Sequence, residues 1–175
     1  MKKVFLLTFC TMLVFILASC NNEGKFDENL QKAYKEAILT HGMSGMIAGN
    51  TVKVWNTAIF DHKGVDGSYV SDFNDALSDL FKKYKSVGII DSLQLHKNRL
   101  DSLAGEMADP PSSRKDVYND FVGLVTEIDA LERLAEDPTG SLQDYSSTVM
   151  EHSTNVQKKN DEFKIKYAKY LKEDK

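Results

Sequence analysis

From Phe26 onward, apolar and small residues recur at steps of three or four: Phe26, Leu30, Ala33, Ala37, Ser44, Ala48, Val52, Trp55 and Ile59, with one longer step across His41. That spacing puts them on one face of a helix and continues for about nine turns. A strand, whose faces alternate every second residue, has no use for it. The chain is thus committed to helix over this stretch. The weak point is His41-Gly42-Met43-Ser44-Gly45-Met46, where each glycine costs about 1 kcal/mol relative to alanine. Either the helix breaks there or the small residues let a neighbour approach closely.

The same period returns downstream. Gly64, Asp66 and Gly67 mark a turn within Asp61–Ser68, and Val70, Phe73, Leu77, Leu80, Tyr84 and Val87 follow on one face. Gly88 interrupts this second helix and Leu93, Leu100, Leu103 and Met107 continue in another phase, so a kink or short break is expected near Gly88–Asp91. Asp109-Pro110-Pro111 ends the segment. Ser113 and Asp116 have the spacing of a capping box, and Val117, Phe121, Leu124, Ile128, Leu131 and Ala135 form a heptad seam. After Asp137-Pro138-Thr139-Gly140, Ser141 and Asp144 repeat the cap spacing. Leu142, Tyr145, Val149, His152, Val156, Phe163, Tyr167 and Tyr170 then make a last stripe, broken only at Lys159. No segment alternates with period two. The expected fold is all-α: an elongated antiparallel bundle of about four helices, up-down-up-down, crossing at about 20°, with the second helix kinked near Gly88.

The first twenty residues follow a different logic. Lys2 and Lys3 precede an apolar run, Val4 to Leu17, and Leu17-Ala18-Ser19-Cys20 closes it with small residues before a cysteine. A membrane span needs about 20 apolar residues, whereas this run is shorter and contains Thr8 and Thr11. The segment resembles the lipobox signal peptide of bacterial lipoproteins. The resemblance implies that the Cys20 thiol is acylated, that the preceding peptide is removed, and that the new N-terminus is anchored in a bilayer on the extracytoplasmic side of the cell envelope. Residues 1–19 would then be signal peptide, 20–25 a lipidated, flexible tether, and 26–173 one helical-bundle domain. Cys10 would leave with the signal, so that Cys20 is the only cysteine retained and no internal disulfide forms. The formal charge of −4, or −6 once Lys2 and Lys3 are gone, repels phosphate backbones and argues against a nucleic-acid partner. Lysines crowd the last eighteen positions, yet Asp161, Glu162, Glu173 and Asp174 are mixed among them, as on a solvated helix face.

Three constellations carry conceivable chemistry. His41, Met43 and Met46 with Met150 and His152 offer thioether and imidazole ligands of the kind that suit copper(I), and an antiparallel first and last helix would bring the two groups to a similar height. The competing reading has methionine filling core space and His152 in a packing seam. Asp72, Asp75 and Asp79, or Glu127, Asp129 and Glu132, repeat acids at helical spacing, but the Glu-x-x-His motif of di-iron bundles is absent and a solvated face is the expectation. Gly42, Gly45 and Gly49 form a small-residue stripe for close helix packing or for a groove, and Trp55 is read as core. No nucleophile elbow or phosphate-binding glycine loop occurs. The expected protein is a non-enzymatic, lipid-anchored envelope protein without a cofactor, held to the membrane through acylated Cys20 and serving protein–protein interaction or spacing. A small apolar ligand or copper module is the alternative.

Overall fold

A computed structural model describes the backbone of residues 2–171 and the side chains of residues 22–171. Five helices account for it: α1 (Lys2–Asp61), α2 (Phe73–Ser86), α3 (Ile89–Glu106), α4 (Lys115–Glu136) and α5 (Leu142–Tyr167), with short 3-10 turns at Ser112–Arg114 and Ala168–Tyr170. The architecture is all-α. α1 is the spine and packs against the other four helices. Cross-helix contacts fix the directions. Asn29 bonds Glu106, His96 lies beside Glu36, and Asn50 donates to Tyr84, so α2 and α3 run back along α1 as one broken arm. Ser113 reaches Glu23 and Leu131 touches Gly45, so α4 runs parallel to α1. Tyr34 donates to Asn160, so α5 returns antiparallel. This is the expected up-down-up-down rod, about 50 Å long at 1.5 Å per residue.

Local chemistry explains the joints. Gly88, at φ 75°, separates α2 from α3 in a left-handed conformation that other residues adopt only with strain. The Asp72 carboxylate accepts from the Asn74 N–H and caps α2, and Ser141 accepts from the Asp144 N–H at 3.1 Å and caps α5. The capping box expected at Ser113 and Asp116 does not form. α4 starts after a 3-10 turn with no side-chain cap, because the Ser113 hydroxyl donates instead to Glu23 on α1 at 2.6 Å. Within the α1–α2 connection, Lys63 and Tyr69 form an isolated antiparallel bridge, and the Gly64 N–H donates to Ser68.

One further expectation changes, and one open alternative is resolved. Asn22 to Lys25, read as a flexible tether, are helical, because Glu23 and Asp27 lie one turn apart and both meet Arg114, which gives this polar stretch a tertiary partner. The glycine-rich stretch of α1 is unbroken, and only Gly45 faces a neighbour, with Leu131 at 3.9 Å from a Cβ built there, while Gly42 and Gly49 face open space. Cys20 lies outside the residues whose side chains are described. Among the described residues no helix is long and apolar enough to cross a membrane.

The core is not continuous. One cluster joins Phe26, Leu30, Ala33 and Ala37 to Leu100, Phe121, Ile128 and Phe163. A second joins Ile47, Ala48 and Trp55 to Leu80, Leu93, Leu131 and Tyr145, with Trp55 stacked on Phe73 at 5.2 Å. Along α1 the two clusters are separated by Thr40 and Ser44, both fully buried.

Candidate functional site

The gap between the two cores is a belt of polar side chains contributed by four helices. It holds three of the chain's four histidines: His41 on α1, His96 on α3 and His152 on α5. Each sits differently. His96 Nδ1 lies 2.6 Å from Glu36 Oε2, with Arg99 3.8 Å from the other Glu36 oxygen. His152 Nδ1 lies 2.9 Å from Glu127 Oε2, and this contact, the largest cause, holds the Glu127 carboxyl below its ordinary range. His41 Nδ1 is buried without a partner, and burial lowers the basicity of the ring.

The acids of α4 are the second part of the belt, and they correct the expectation of a solvated face. Glu132 is 7% exposed and Asp129 is half-buried. α4 packs against α1 and α5, and these two acids stand next to Ile128 and Leu131 on the side of α4 turned inward, where Asp129 also meets Lys97 of α3, while Val122, Thr126 and Arg133 face water on the other side. Lys97 is bound to Asp101 at 2.6 Å and stands 3.5 Å from Asp129, an ion pair too long for a good hydrogen bond. Desolvation raises both α4 carboxyls, and Glu132, with Glu136 and Asp129 adding like charge, is pushed up to about 7. The group therefore exchanges a proton near neutrality inside the bundle. Thr40 satisfies its hydroxyl by donating to the Glu36 carbonyl at 2.9 Å, whereas the buried Ser44 hydroxyl has no partner.

The histidine and methionine residues singled out from the sequence lie at a similar level of the rod but in different environments. Met43 packs against the far core beside Ile47, Met46 is 43% exposed, and Met150 is 69% exposed. Met150 and His152 line different depressions. One, of about 460 Å³ between α4 and α5, is bordered by Arg133, Leu134, Glu136, Asp137, Thr148 and His152. The other, of about 370 Å³, is bordered by Met150, Glu151 and neighbouring α5 residues. Among the described residues no group of three or more His, Cys, Asp or Glu side chains is placed to hold a metal ion. Trp55 is core, as expected.

What the sequence pattern missed is the inward turn of Lys97, Asp129 and Glu132. A signal existed: Asp129 and Glu132 flank Ile128 and Leu131 in the heptad seam, next to the buried stripe. Arg114 was also missed. It grips Asp27 with bonds of 2.7 and 2.9 Å, stacks over Tyr170 at 4.9 Å, and ties α1, α4 and the end of α5 together at one end of the rod. No protein-family model, curated protein or solved structure matches this chain.

Proposed function

We propose that the protein is a lipid-anchored bacterial envelope protein, non-enzymatic, whose helical rod stands on the membrane surface and engages a protein partner. The observation that carries this reading is the position of Glu23. Only two residues separate it from Cys20 in the Leu17-Ala18-Ser19-Cys20 signal, and its carboxylate is already fastened to Ser113 and Arg114 of the bundle. A bundle that begins this close to the acylated residue has no slack to drift from the lipid, so its base rests on the headgroups and its long axis carries the other end outward.

A rod of this kind suits the chain's composition. An acidic surface and two packed cores serve as a rigid spacer, and the broken arm α2–α3 braces α1 along its length. The test is metabolic labelling with a radioactive or clickable palmitate in bacteria producing the full chain. Wild-type protein is expected to take the label and fractionate with membranes, and Cys20→Ser to lose both properties. Equal labelling of the two would refute the anchor.

A further inference from the structure

We propose that the end of the rod opposite Arg114 is a docking surface for a lysine- and arginine-rich segment of another protein. The inference rests on the lipid-anchored reading for its orientation, since this end would then be the one farthest from the bilayer.

Exposed aromatic surface is concentrated there. Phe60 is 69% and Tyr69 76% exposed, and Ile59, next to Phe60 in the last turn of α1, is also exposed. Solvated turns do not need such side chains, whereas partner-binding surfaces are enriched in them. The loop that carries Tyr69 is held in place. The His62 ring packs on Tyr69 at 5.9 Å, the His62 carbonyl accepts from the Val70 N–H at 2.9 Å, and the Gly64 N–H donates to the Ser68 carbonyl at 2.9 Å. An aromatic fixed before binding loses little freedom on contact.

Charge selects the occupant. Segments 59–76 and 133–145, which build this end, contain Asp61, Asp66, Asp72, Asp75, Glu136, Asp137 and Asp144 against Lys63 and Arg133. Their formal charge is −5, or −4 with Lys83 of α2, which stands close enough to act on Asp66, so this tip is net acidic. The field attracts cations, and the faces of Phe60 and Tyr69 add cation–π contact with guanidinium or ammonium groups. A symmetric pairing of two copies through this end would set acid against acid, and an anionic lipid or nucleic acid would be repelled.

The test uses the full chain in detergent micelles and a fluorescein-labelled peptide alternating Arg or Lys with Ser and Gly, followed by fluorescence anisotropy. Wild-type protein is expected to bind saturably, with affinity falling as salt rises. Phe60→Ser with Tyr69→Ser is expected to weaken binding about five- to twentyfold. Tyr69→Phe, which keeps the ring, should bind as wild type. Asp61→Asn with Asp75→Asn and Asp137→Asn should weaken binding and flatten its salt dependence, while Asp109→Asn with Asp116→Asn, at the other end, should leave it within about twofold. No saturable binding, full binding by the double aromatic variant, or equal losses from acids at both ends would overturn the proposal. Peptide binding in micelles does not need the acyl chain, so failure here and failure of palmitate labelling are separate results.

Discussion

Arg114 and Asp27 meet fork to fork, with Nε 2.7 Å from Oδ1 and Nη2 2.9 Å from Oδ2, across the junction where α1 passes the start of α4. The pair is partly shielded, Glu23 approaches the same guanidinium at 3.4 Å, and the Asp27 hydrogen bond is the largest influence holding Arg114 in its charged form. This is the fastening that converts the polar residues after Cys20 from loose chain into the base of the bundle.

Arg114→Ala is therefore expected to destabilise the protein by about 2 kcal/mol, the scale of partly buried hydrogen bonds to charged groups. Arg114→Lys keeps the charge but not the planar fork, and should recover less than half of the loss. Chemical denaturation of the three proteins checks this, and hydrogen exchange should show the change concentrated in residues 22–28.

Glu132 gives the belt a pH dependence of defined sign. Its carboxyl titrates at about 7 in the folded protein against 4.5 in the unfolded chain. Between those values the folded state holds the extra proton, so its contribution is fully present below pH 4.5 and is lost as pH rises through about 7. Glu132→Gln, which cannot ionise, is expected to match wild type near pH 4.5 and to exceed its stability by about 2 kcal/mol above pH 7. Comparing the two proteins at each pH cancels the opposing contribution of His41, whose basicity burial lowers. A difference independent of pH would exclude the assignment.

Glycine substitutions should have opposite signs along the chain. Gly42 and Gly49 are helical and face open space, so alanine at either is expected to stabilise by about 0.5–1 kcal/mol. Gly88 also faces open space but at φ 75°, so Gly88→Ala should destabilise by about 1 kcal/mol. Thermal melts of the three single variants decide the matter.

The rod was readable because its helices obey one period. Leu30, Ala33 and Ala37 on α1, and Phe121, Leu124 and Ile128 on α4, are buried where the spacing put them. The register drifts farther along α1, where Ile47, Thr51 and Ala58 are buried while Ile59 is exposed, because 3.6 residues per turn does not repeat evenly over so many turns. The belt was not readable. Lys97, Asp129 and Glu132 look like surface residues by type, and only the packing of α1 and α5 on α4, with Lys97 reaching Asp129 from α3, draws them inward. The clamp at Arg114 was hidden for a related reason: Arg114 lies 87 positions from Asp27 and farther still from Glu23, and they meet only after folding.

The central claim is that Cys20 carries lipid and that the chain begins there. Intact mass spectrometry of the full-length protein, produced in bacteria and purified from membranes, measures both at once. The expected result is a chain starting at Cys20 with acyl groups on that residue. A chain that retains residues 1–19, or one cut elsewhere and free of lipid, would contradict it.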